Sequence, residues 1–362
     1  MNVVQQALLK LHLTPNLGRT ALFKLHAYFG DFISALEANP QAWKSAGLST
    51  LLRSKVPDEA DPKYKQILPQ LESMGVKLIS FWDEDYPQLL REIHDPPALF
   101  YLRGQLPQTD CFAIVGSRRA TAPGLSMTRE LSKILAQHNV CIVSGLARGI
   151  DSAAHRGALE AQGRTIAVLG CGIDRIYPPE NGRLFHDILK ANAIISEYPP
   201  GTPPLAGHFP GRNRIISGLS RGVLIVEAAE NSGSLITGDF ALEQGRELFA
   251  IPGALHNTNS QGTNRLLKEG AQLVTEVKDI LQQLWPGQSS KQELKKQEAF
   301  TDQLAEPALN VYQQVNYEPL HIDDIARKCS LTPMELSAIL LDLELQGGIT
   351  SLPGNHYIRG RL

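Results

Sequence analysis

Between residues 112 and 275 short apolar runs alternate with helix-sized amphipathic stretches. The runs fall at 112–115, 140–143, 165–169, 193–196, 223–227, 248–251 and 272–274. Strands this continuously apolar, separated by helices, predict a parallel sheet covered on both faces: a doubly wound, Rossmann-like α/β domain. Upstream, residues 1–75 read as short helices. Val3, Val4, Ala7, Leu8 and Leu11 share one helical face,. Pro15-Asn16-Leu17-Gly18 then turns the chain into a second apolar run that ends at Gly30-Asp31,. Two such helices predict a helix-hairpin-helix or sterile-alpha-motif-like module, or a plain helical cap on the next domain. A strand at 76–81 opens the core domain, which runs to 285 through an extended stretch broken by Pro87, Pro96 and Pro97.

Residues 286–304, rich in Gly, Ser, Lys, Gln and Glu, predict a linker,. In 305–362 three helical segments precede two short strands around Pro353-Gly354, with Thr332 placed as an N-cap and Pro333 as the first helical residue,. The pattern is helix-turn-helix plus wing. Its would-be reading helix carries Glu335, Asp342 and Glu344 and no base, and the segment holds 4 Lys+Arg against 7 Asp+Glu. Duplex phosphates would be repelled, so this module is expected to make protein contacts.

The chain has 362 residues, 43% apolar and 20% charged, which excludes whole-chain disorder,. No apolar run approaches the ~20 residues that span a bilayer. The N-terminus lacks a signal peptide's basic start and apolar core, and Cys111, Cys141, Cys171 and Cys329 form no C-x-x-C pair. Buried thiols, a cytoplasmic location, and neither metal nor cofactor are therefore expected. The net charge of −2 hides an asymmetry: residues 111–270 hold 16 Lys+Arg, 13 of them Arg, against 13 Asp+Glu. Arginine's planar fork suits phosphate.

Ligands of doubly wound sheets bind beyond the carboxyl ends of the strands. The loop after the first core strand is Gly116-Ser117-Arg118-Arg119, and that after the second is Ser144-Gly145-Leu146-Ala147-Arg148-Gly149-Ile150-Asp151. Close backbone approach, helix N-termini and arginines together predict a phosphate site. The dinucleotide fingerprint fails in the first loop, and no G-K-[ST] ending is present. Further on, Phe209-Pro210-Gly211-Arg212-Asn213-Arg214 puts arginines beside an aromatic at an expected helix start, a pattern suited to single-strand binding,. The opposing expectation is that Phe209 staples the helix and the arginines pair with Glu197 or Glu227.

These segments, with Ile215-Ile216-Ser217-Gly218-Leu219-Ser220, Ser232-Gly233-Ser234-Leu235-Ile236-Thr237, Tyr86-Pro87 and Asp95-Pro96-Pro97, resemble the DNA-processing protein A (DprA, or Smf) family from about 80 to 275. The resemblance implies a non-enzymatic mediator of natural transformation. Such a mediator binds single-stranded DNA as a homodimer, displaces or bypasses single-strand-binding protein and loads a RecA-type recombinase. It also implies that Arg118, Arg212 and Arg214 hold phosphates, that Asn213 orients the backbone, and that Phe209 stacks on a base. Gly116, Ser117, Gly145 and Gly233 would shape the pocket; Arg119 and Arg148, from the loop reading above, and Ser234 complete the expected DNA- and phosphate-binding residues. The alternative is a nucleotide phosphoribohydrolase-like enzyme using the same cleft. Residues 231–237, however, carry an apolar run where that fold places its catalytic glutamate,.

Overall fold

The computed structural model describes residues 1–190, 192–287, 300–316 and 318–360. Most of the expected linker, 288–299, lies outside them. Two compact units are present, Met1–Ile280 and Leu281–Leu362.

The first is built on a sheet with nine strands among the described residues: β1 Lys77–Ser80, β2 Leu99–Gly104, β3 Cys111–Val115, β4 Cys141–Ser144, β5 Thr165–Leu169, β6 Ala193–Ser196, β7 Gly222–Ile225, β8 Glu247–Ala250 and β9 Gln272–Leu273. The spatial order is β1-β2-β6-β5-β4-β3-β7-β8-β9. Pairs from β6 through β9 are parallel, in line with their apolar runs, whereas β2 pairs antiparallel with both β1 and β6. Strand β2 is absent from the sequence reading. Pro96 and Pro97 lie just outside it and mask Leu99-Phe100-Tyr101-Leu102, which is fully apolar and buried,.

The N-terminal helices do not form a separate body. Leu8, Leu11, Leu22, Leu25, Phe32 and Trp43 share one hydrophobic core with Leu78, Tyr101 and Leu169 of the sheet and Phe185 of helix Gly182–Leu189. Residues 1–75 therefore share the core of the sheet unit: helices this short bury their apolar faces against the sheet,. Val3 and Val4, expected on the buried face, are exposed. All four cysteines are buried free thiols.

Two histidines pack into this unit, His155 fully buried and His12 half-buried. His12 Nδ1 lies 3.0 Å from the Tyr101 hydroxyl, and His155 Nδ1 lies 2.7 Å from Thr165 Oγ1. Because Thr165 donates its hydroxyl proton to Ile142 O, His155 donates from Nδ1, and burial keeps the ring neutral,. Burial lowers His12 to about 4 and His155 to about 3. Folded values below the unfolded one mean that stability is full above about pH 6.5 and is lost as pH falls, because only the unfolded chain takes up the protons. Urea titrations at pH 7 and pH 5 should show a loss of about 1–2 kcal/mol per histidine. Replacing His155 by glutamine should remove its share of the dependence and leave that of His12.

The second unit packs helices Glu306–Gln314, Ile322–Cys329 and Pro333–Leu345 on strands Leu320–His321, Ile349–Leu352 and His356–Arg359. Thr332 and Glu335 form a reciprocal capping box, with Pro333 at the first position,. The helix buries Leu336, Leu340 and Leu343 and exposes Met334, Leu341 and Leu345.

Candidate nucleic-acid interface

The strand order reverses at β3: β4, β5 and β6 lie on one side, β7, β8 and β9 on the other. Loops leaving β3, β4 and β7 therefore surround one crevice at the carboxyl end of the sheet. The crevice is a cleft of about 900 Å³. Gly116, Ser117, Arg118, Arg119, Phe209, Arg212, Asn213, Gly233 and Ser234 all line it.

The loop after β3 is fixed by its backbone. Ser117 donates its N–H to Glu227 O at 2.7 Å, and its carbonyl accepts from Ile150 N at 3.2 Å. Arg119 N donates to Ser117 Oγ at 3.1 Å, and Arg119 O accepts from Asn259 Nδ2 at 2.9 Å. The two arginine side chains emerge exposed from this loop, and among the described residues neither guanidinium has a hydrogen bond or an ion pair. Their charge is available to a ligand.

Helix His208–Gly218 supplies the opposite wall. It begins before Pro210, not after Gly211 as expected. First-turn N–H groups have no partner within the helix, so a proline there removes nothing. Asn213 Nδ2 donates to Gly233 O at 3.3 Å, joining this helix to the loop before helix Leu235–Glu243. That helix starts without a side-chain cap, and Gly233 stands in open space.

Arg212 lines the cleft but is only 4% exposed. Its Nη1 donates to Gly145 O at 2.6 Å and also to Val168 O. Gly145 permits this approach: a Cβ there would lie 1.9 Å from Nη1. Asp151 Oδ2 accepts from Gly145 N at 3.1 Å and Ala147 N at 3.3 Å. Burial pushes the Asp151 carboxyl up against the pull of Arg212, and the same burial pulls the Arg212 guanidinium down. Arg212 thus ties the ends of β4 and β5 together and contributes charge from below the floor. The Phe209 ring lies against both guanidiniums, with Arg118 at 5.3 Å and Arg212 at 5.9 Å from its centroid,.

Two expected contacts are placed elsewhere. Arg148 lines a small adjoining cavity with Gly145 and forms an exposed ion pair with Glu180. Arg214 is a correction. It follows Asn213 by one residue and therefore points about 100° around the helix, into the interior. There it binds both Glu197 oxygens at 2.7 Å and Asp95 at 3.2 Å. Asp95 also pairs with Arg19. Arg214 is 5% exposed, its charge is neutralised within the fold, and pairing with Glu197 was the opposing expectation.

The carboxylates near the strand ends are dispersed. Glu227 accepts from Thr121 N at 3.0 Å, Glu197 binds Arg214, and Asp174 accepts from Gly201 N at 2.9 Å. No group of three His, Cys, Asp or Glu side chains among the described residues is placed to hold a metal ion. No helix among them is long and apolar enough to cross a membrane. Tyr177 and Asn259 were missed by sequence reading. Tyr177 sits in the loop after β5, where Tyr177-Pro178-Pro179 was the available signal.

A family model described as DNA recombination-mediator protein A matches residues 77–285, and one for the DprA winged helix domain matches 295–355. The chain is 42% identical over 297 residues to Protein Smf of Escherichia coli K12, covering 80% of this chain and 79% of that protein. The X-ray structure of DNA processing protein A from Streptococcus pneumoniae aligns with a TM-score of 0.68 at 36% identity, over 78% of this chain and 99% of that one. A structure of DNA processing protein A from Helicobacter pylori, titled for its single-stranded DNA binding mode, aligns at 0.52 and 33% identity, over 58% of this chain and 95% of that one.

Proposed function

The chain belongs to the DNA recombination-mediator protein A family, and we propose that its cleft holds the backbone of single-stranded DNA without reading sequence. The observation that carries this reading is the pair of exposed cations Arg118 and Arg119, neither of them in an ion pair among the described residues, which line one cleft with the start of helix Leu235–Glu243, a start without a side-chain cap. Amides and guanidiniums match phosphate oxygens, and contacts of this kind position a strand rather than specify its bases. The Helicobacter pylori relative, described as binding single-stranded DNA, supports the same reading.

The proposal extends to a homodimer that acts in the cytoplasm during natural transformation. It displaces or bypasses single-strand-binding protein and delivers the strand to a RecA-type recombinase. The acidic winged helix would serve protein contact. A phosphoribohydrolase-like reading finds little support. Glu227 is engaged by Thr121, and Glu230 is an exposed acid on the rim with no ion pair among the described residues.

Fluorescence anisotropy with a single-stranded oligonucleotide and its duplex, each at two salt concentrations, tests the reading. A single-strand preference that weakens with salt is expected; equal weak binding to both would redirect the assay to nucleoside monophosphates. Replacing Arg118 and Arg119 together by alanine should lower the log–log salt slope by about 0.7 per lost contact, and affinity near physiological salt by about an order of magnitude. An unchanged slope would remove both side chains from the interface.

A further inference from the structure

A single strand offers bases as well as phosphates, and the cleft has an aromatic surface for each to be weighed against. Phe209 is the aromatic that the sequence singles out, yet its ring is already occupied. Arg118 and Arg212 lie over it, and it packs on the Gly170 backbone so closely that a Cβ there would come within 2.9 Å of Cδ1. A base on Phe209 would compete with the Arg118 guanidinium for the ring, and Arg212, fixed to Gly145 O and Val168 O, lies against it as well. Tyr177 differs. It lines the same cleft, its ring centroid lies 5.6 Å from that of Phe209 at a tilt of 36°, and it is 37% exposed. Among the described residues its hydroxyl has no hydrogen-bond partner. Pro178, which follows it, is buried and anchors the loop.

We infer that Tyr177 is the platform on which a nucleobase stacks when the neighbouring phosphates of the same strand lie against Arg118 and Arg119. Phe209 is then the support against which Arg118 and Arg212 lie. This rests on the reading of the cleft as a single-strand site, and it adds a subsite for any base, since every base has a π-face. The exposed ring, held by Phe209 on one side, loses little freedom on binding.

The test compares a labelled single-stranded oligonucleotide with one of the same length in which tetrahydrofuran residues replace the nucleosides, so that the phosphates remain and the bases are gone. Full-length wild type should prefer the base-bearing strand by roughly five- to tenfold, the effect of one aromatic–base stack. In Tyr177→Ala that ratio should collapse toward one, and Tyr177→Phe should restore it. Equal weakening on both strands would make Tyr177 a structural residue and overturn the inference, as would an unchanged ratio in Tyr177→Ala. A wild type that binds both strands equally, with a steep salt slope, would overturn the base platform and leave the phosphate cleft standing. Failure to bind either strand would remove the single-strand reading and the platform with it.

Discussion

Arg214→Ala is expected to destabilise the protein by about 3–5 kcal/mol, the cost of removing one partner from a buried ion pair. Glu197, with a side chain only 18% exposed, would lose both of its 2.7 Å bonds, and Asp95 would keep Arg19 alone. Arg214→Lys should rescue poorly, because an ammonium cannot occupy both carboxylate oxygens and Asp95 in one planar fork. Adding Glu197→Gln to Arg214→Ala should recover part of the loss by removing the uncompensated charge, a coupling that a double-mutant cycle in urea measures directly. A variant of normal stability whose salt slope falls by one contact would return Arg214 to the DNA interface.

Gly149→Ala is expected to cost about 2–4 kcal/mol, from backbone strain together with overpacking. Gly149 has φ +73° and ψ −125° at the start of helix Ile150–Glu160, and a Cβ there would fall 2.2 Å from Ser117 O and 3.0 Å from the Arg118 carbonyl carbon. Both neighbours are backbone, so no side chain can swing aside. The loop carrying Arg118 and Arg119 must move away from the one carrying Gly145. Single-strand affinity should therefore fall in the same variant that loses stability. Gly233→Ala is the control: no atom lies within 4 Å of its Cβ position and its φ is not positive, so its stability should change little. Equal urea midpoints for the two variants would refute the packing argument.

The parallel strands were legible because each is buried on both faces and leaves an unbroken apolar run. Thr165–Leu169 and Ala193–Ser196 agree with their runs to the residue. The capping of helix Pro333–Leu345 was legible for a similar reason, since Thr332, Pro333 and Glu335 act within one turn. Strand β2 was not, because two prolines at its border outweighed four apolar residues. Nor was the union of residues 1–75 with the sheet, which depends on what lies against Leu22 and Trp43.

The site divides in the same way. By itself the sequence determined the chemistry available: glycine-rich loops after the strands, an excess of arginine in the core domain, and one cleft at the carboxyl edge where they must meet. Tertiary structure alone decided which arginine does what. Arg118, Arg119, Arg148, Arg212 and Arg214 are the same residue type in neighbouring motifs. Yet two face the cleft unpaired, one pairs on the surface with Glu180, one braces two strand ends through carbonyl oxygens, and one is neutralised inside by Glu197 and Asp95. A charge is free for a ligand only when the fold leaves it without a partner, and Asp95 and Glu197 reach Arg214 from 119 and 17 residues away in the chain. Such partners are distant in sequence and adjacent only after folding, so no local pattern can assign them.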